Sequence, residues 1–297
     1  MELIIHLILD NDVFSLGLAE IDFHRNTASS LVLKKGLEYP YLLHEMLAFS
    51  SLHLASVHPA KSISYQHQAM ALQTRAVSLF NSHWTEIDET NCVGILLFSS
   101  VLGHHLLADT LANQDTGGLD CFMANYLHCV EIHRGIHTLA MSAWPQLMRS
   151  ELESILSASS RFTSRSPRGN ECEGISVLIS ASQGLGDEDK EACQLVIRHL
   201  QIGFDAVSTE LGHGYRHYMI YTWLMLAPSR FIDLLSTKKP EALILLAFYA
   251  VLLHHGRQLW QVKNAGIYIL RMINEYLDPV WHHWLQYPRR IMAQGLQ

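Results

Sequence analysis

PEALILLAFYAVLLHHGRQLWQVKNAGIYILRMINEYLDPVWHHWLQYPRR, residues 240–290, decides the fold. Pro240 lacks the N–H that a first helical turn leaves without a partner, and Glu241 sits at the positive end of the helix dipole, so a helix starts here. From Ala242 to His254 almost every side chain is apolar. A helix that is apolar all round is enclosed by other helices, not laid on a surface by one stripe. Gly256 supplies the stop. Between Gln258 and Asp278, the residues Leu259, Val262, Gly266, Ile269, Ile273 and Tyr276 recur at helical spacing, which predicts a second helix ended by Asp278-Pro279. Trp281, Trp284 and Tyr287 then form an aromatic cap over an apolar region.

Working outward, the same pattern recurs. Pro40 opens a helix that reaches Ala55 and continues to Val57. Leu42, Met46, Phe49, His53 and Val57 line one large-residue stripe, and His44, Ala48, Ser51 and Ala55 a small-residue stripe that lets another backbone come close. Ser64–Ser82 is amphipathic, with Ala69, Leu72, Ala76, Leu79 and Phe80 inward. Thr90 or Asn91 is the expected cap of the helix from Cys92 to Ala108. A loop is expected at Asn113–Gly118, helices at Asp120–Leu139 and Trp144–Leu156, and a mobile Ser/Arg/Gly-rich loop at 157–174. Asp187–Asp189 start a helix burying Ala192, Leu195, Val196, His199 and Val207; Tyr215–Leu226 and Arg230–Leu235 follow. Upstream, residues 1–20 suit a short helix broken near Asp10 and Asp12, with Leu16 and Leu18 beyond the break, and 22–39 are read as a loop with room for a short helix. With no run of period two long enough to demand a strand, the fold class is all-α, a single multi-helix domain over 1–297.

Composition excludes several functions. The 297 residues are 49% hydrophobic and 16% charged, below the usual share of about 25% charged. The net charge is -7 with no Lys/Arg block, so direct nucleic-acid binding is not expected. The five cysteines are irregularly spaced, as in reduced intracellular proteins. No signal peptide is expected, and the apolar run Cys92–Ala108, interrupted by Ser99, Ser100, Gly103, His104 and His105, suits a buried helix better than a transmembrane segment.

Beyond these physical constraints, several stretches resemble one family: the C-terminal regulatory region of fungal zinc-cluster transcription factors of the sterol-uptake-control type. The resemblance rests on Pro240, Ala242, Leu243, Leu246, Tyr249–His254 and Trp284–Pro288; on Pro40–His44 and Leu47–Ala55; on Arg134-Gly135-Ile136, similar to an arginine-glycine-aliphatic turn; and on Trp223–Phe231. It implies a helical domain that binds a lipophilic effector such as a sterol downstream of a DNA-binding zinc cluster. That cluster needs six cysteines beginning with Cys-x-x-Cys, and this sequence contains no Cys-x-x-Cys. The expectation is either a shortened chain or a standalone protein without the DNA-reading half.

Nineteen histidines are the compositional oddity, and several sit in apolar helices. Histidine exchanges protons near neutral pH, so His53, His104 and His254, with Tyr249, are the candidate catalytic residues; structural hydrogen bonding is the competing explanation. Met46, Phe49, Phe98, Trp223 and Trp260 are the candidate ligand-binding residues, although aromatic residues at helical spacing also make ordinary cores. Cys129, His133 and His137 share a helix face with zinc-ligand spacing, but no fourth ligand accompanies them and Arg134 is adjacent, so an ordinary helix face is preferred and neither metal nor cofactor is expected. The acids at 109–115 and 187–189 read as solvated. Phosphate loops, nucleophile elbows and His-Glu-x-x-His are lacking. Two functions follow. The first is a cofactor-independent cyclase or pericyclase acting on a terpenoid or polyketide intermediate of fungal secondary metabolism, in which a shaped cavity supplies orientation. The alternative is a non-enzymatic sterol- or lipid-sensing regulatory domain. Both take a lipophilic small molecule, both leave a homodimer open, and the expected location is cytoplasmic for the first and nuclear for the second.

Overall fold

A computed structural model describes residues 2–10, 13, 25–83, 86–112, 117–209 and 215–294. Leu16, Leu18 and most of the expected loop at 113–118 lie outside the described residues. Among those described the regular structure is helical throughout, with no strand. The chain divides into two compact units, one made of 1–106 with 135–160 and the other of 107–134 with 161–297.

The first unit is built on α3 (Pro40–Val57), which packs against α1 (Glu2–Leu9), α2 (Arg25–Glu38) and α4 (Ser62–Ser82). Both predicted stripes of α3 are buried apart from Val57, which is exposed at the helix end, and His44, which is half-buried. The small stripe works as its residue sizes suggest: the Ser51 hydroxyl donates to the Tyr65 carbonyl of α4 at 2.8 Å. On the other side the Ser50 hydroxyl donates to the Leu3 carbonyl of α1 at 3.1 Å. Residues 25–38 form α2, a longer helix than the loop with a short helix expected there. Their sequence is scarcely amphipathic, and tertiary packing overrides weak local preference. Ahead of α5 (Cys92–Ala112), Asp88 and Asn91 close the turn reciprocally: Asn91 Oδ1 accepts from the Asp88 amide at 2.9 Å, and the Asp88 carboxylate accepts from the amides of Thr90 at 2.7 Å and Asn91 at 3.1 Å.

Arg134-Gly135-Ile136 lies inside α6 (Gly118–Ser142) and not in a turn. The single helix expected at 144–156 is two, α7 (Trp144–Leu147) and α8 (Glu153–Thr163), separated by turns at 148–152 that the Ser150 hydroxyl holds by accepting from the Leu152 amide. α8 takes in 157–163, because Ile155, Ala158 and Phe162 bury one face that the serines disguise. The loop after it is tied down: the amides of Arg168 and Gly169 donate to the Asp205 carboxylate at 2.7 and 2.8 Å, and the Cys172 amide donates to Gln201 at 3.0 Å.

The second unit surrounds α13 (Pro240–His255), in which every residue from Glu241 to His254 is buried, as its sequence predicts. Its neighbours include α9 (Glu173–Ala181), α10 (Asp187–Thr209), α11 (Tyr218–Leu226), α12 (Ser229–Ser236) and α14 (Ala265–Tyr276). Each fully buried aliphatic side chain contributes about 1.5–3 kcal/mol, so this enclosure dominates the unit's stability. Glu241 at the start of α13 accepts from the Ser182 hydroxyl at 2.6 Å. In α10, Ala192, Val196, His199 and Val207 are buried while Leu195 is exposed, contrary to expectation. The helix expected from Gln258 begins only at Ala265; residues 256–264 form successive three-residue turns, with Lys263 at φ 45. Gly266 then meets α13 backbone to backbone, since a Cβ there would lie 2.4 Å from the Ala250 carbonyl oxygen.

α5 is the one described helix long and apolar enough to cross a membrane, and most of it is buried in the fold.

Candidate functional site

The C-terminal cap builds the site. Pro279 cannot continue a strand or donate a hydrogen bond, and the Asp278 carboxylate accepts from the Val280 amide at 3.0 Å, so a 3-10 helix opens at Pro279–Leu285. It leads directly into α15 (Gln286–Gln294). This places Tyr287 on Phe248 of α13, with ring centroids 5.3 Å apart and 15° between planes, and edge-on to Phe204 of α10 at 6.0 Å. Beside these rings is a hollow of about 470 Å³ walled by Ile175, Phe248, Trp284 and Tyr287, with Glu171 and Arg290 among its polar lining. Burial pushes the Tyr287 phenol up to about 12, so it stays protonated and is suited to donate to a ligand oxygen. The Arg290 guanidinium lies 5.7 Å from the Tyr287 ring centre.

A second hollow of about 760 Å³ has Arg165, Arg168, Glu171, Ile202, Asp205 and Thr209 in its lining. Glu171 belongs to both. Gln201 holds that carboxylate from one side while donating to Asp205 at 3.0 Å from the same nitrogen.

The residues singled out from sequence lie elsewhere. In the first unit Met46, Phe49 and Phe98 are fully buried; Phe98 stacks on Phe80 at 4.5 Å and meets Tyr41 edge-on. Phe49 contacts the rings of His104 and His105 at 6.5 and 6.0 Å, and the His105 Nδ1 is 2.9 Å from the buried Glu45 carboxylate. His53 lies against His6. In the second unit Trp223 stacks on Tyr249 at 4.4 Å, and the Tyr249 hydroxyl donates to the Ile220 carbonyl at 2.6 Å. Burial raises the Tyr249 pKa far above its ordinary value and lowers that of His254, which is also depressed by Arg257. Trp260, half-buried, sits in the turns before α14. None of these nine side chains lines either hollow. Trp284 and Tyr287 were legible as a cap, whereas Ile175, Phe248 and Glu171 carried no signal separating a hollow wall from core or solvated face.

The Cys129 and His133 side chains share one face of α6. His133 Nδ1 is 2.7 Å from the Cys129 carbonyl oxygen, and burial raises Cys129 to about 12 while lowering His133 to about 4.

Over 268 residues the chain is 22% identical to a Zn(2)-C6 fungal-type transcription factor of Gibberella zeae, a match covering 84% of this chain and 53% of that protein. The chain is similar to a fungal transcription-factor region. It spans about half the length of that curated relative. No family model matches, and no solved structure does.

Proposed function

We propose that this chain acts as an effector-binding regulatory domain of the fungal zinc-cluster transcription factor type, taking a lipophilic small molecule of sterol-like class in the hollow walled by Phe248, Trp284 and Tyr287. The similarity along 84% of the chain to a Zn(2)-C6 transcription factor carries this reading. The 470 Å³ hollow supports it, since its volume falls in the roughly 300–1,000 Å³ range of small-molecule sites and its apolar wall comes with a protonated phenol and a guanidinium that could orient a polar group. Such a domain works in the nucleus and reports ligand by a change in conformation or partner.

The same similarity favours regulation over the cyclase function. Tyr249 is committed to the Ile220 carbonyl and strongly held in its neutral form, a poor position for proton transfer to a substrate. The test is a fusion of the full chain to a heterologous DNA-binding domain with a reporter gene. The reporter should respond to a sterol or related lipophile, and Trp284→Ala should shift the half-maximal concentration upward by roughly 10- to 100-fold, the equivalent of burying one large apolar side chain. An identical response in the folded variant would remove the hollow from the function.

A further inference from the structure

A separate group of side chains in the first unit is arranged as metal ligands. His6 lies in α1, Asp10 one residue beyond its end, and His53 in α3. His6 Nε2 is 3.1 Å from His53 Nδ1, His6 Nδ1 is 3.7 Å from the Asp10 carboxylate, and His53 Nδ1 is 4.0 Å from the same oxygen. Among the described residues, this is the one trio of His, Cys or carboxylate side chains whose donor atoms all lie within 4.8 Å of one another. We propose that His6, Asp10 and His53 bind one divalent transition-metal ion of the zinc class, leaving a fourth position for water or an external ligand.

The geometry supports that class. Zinc bonds of 2.0–2.2 Å at tetrahedral angles put neighbouring donors roughly 3.3 Å apart. The two ring nitrogens, His6 Nε2 and His53 Nδ1, are already near that separation, and the Asp10 carboxylate, 4.0 Å from His53 Nδ1 and within 4.8 Å of the His6 donor, closes on both by a side-chain rotation. Two imidazoles and one carboxylate suit zinc, cobalt or nickel, whereas calcium and magnesium take oxygen sets.

The protein also prepares the site without the ion. The Ser50 hydroxyl on the Leu3 carbonyl and the Tyr65 hydroxyl on the Glu2 carboxylate at 2.8 Å already dock α1 onto its neighbours. His53 is buried and Asp10 is about one-third exposed, so the trio has a closed side and a solvent side through which an ion can enter. Bound metal would cross-link α1 to α3, joining residues separated by 47 positions in sequence.

The test uses the full chain stripped with chelator. Titration with ZnCl2 in competition with a chromophoric chelator should show one tight site per chain, and CoCl2 should produce the visible absorption of tetrahedral cobalt. Asp10→Asn and His6→Gln should each weaken binding by at least roughly tenfold, with helical circular dichroism unchanged. Because His53 is buried, Asp10→Asn at a partly exposed side chain is the decisive variant. No stoichiometric ion on the wild-type chain, or equal affinity in both variants, would overturn the proposal and leave a plain hydrogen bond between the two rings.

Discussion

Replacing Gly266 with alanine tests the packing on which the second unit rests. Gly266 is the second residue of α14, and an added Cβ would lie 2.4 Å from the Ala250 carbonyl oxygen, 2.9 Å from the His254 amide nitrogen and 3.3 Å from the His254 Cα. All three are backbone atoms of α13, which is buried on every side, so no flexible side chain can swing away. Overpacking of this kind costs about 1–3 kcal/mol, and a clash with backbone belongs at the upper end. Alanine returns at most about 1 kcal/mol through helix propensity, less in a first turn. The expected net loss is therefore about 2 kcal/mol, or a fall in Tm of roughly 4–8 °C for a unit of this size. Urea unfolding followed by circular dichroism, with calorimetry for Tm, measures it. The companion Gly135→Ala in α6, where an added Cβ meets nothing within 4 Å, should gain about 0.5–1 kcal/mol. A Gly266→Ala protein as stable as the wild type would refute the close approach of the two helices.

Burial lowers His133, His199, His217 and His255 to about 4 from 6.5. Between those values the unfolded chain binds more protons, so stability is fully present above pH 6.5 and falls as pH drops towards 4. Tm measured across that range should decline, with a shallower slope in His133→Gln; a flat profile would contradict buried neutral rings. Of the five cysteines only Cys121 is exposed, so maleimide should modify one thiol per native chain and five in denaturant. Rapid native labelling of Cys129 or Cys193, both raised by burial to about 12, would show that the core around them opens.

The all-α class was legible because α13, α3 and α10 announce themselves by continuous or periodic apolar residues, by proline starts and by acids in a first turn. What stayed hidden depended on tertiary partners. α2 carries too little periodicity to stand alone and is helical by packing on α3. The serines of α8 mask a face that Ile155, Ala158 and Phe162 bury. The site residues were harder still, since buried aromatics look alike in sequence: Phe49 and Trp223 turned out to be packed core, while Phe248 gained a hollow only because Tyr287, 39 positions later, folds back onto it. His6, Asp10 and His53 could not be grouped from spacing, because the docking of α1 on α3 is what assembles them.

The most direct measurement is equilibrium binding of a naturally fluorescent sterol to the purified chain, read by energy transfer from tryptophan and followed by extraction of the ligand. The account predicts saturable binding of one sterol per chain, recovered chemically unchanged, and weakened by roughly 10- to 100-fold in Trp284→Ala. Absence of saturable binding, or binding that Trp284→Ala leaves untouched, would contradict it.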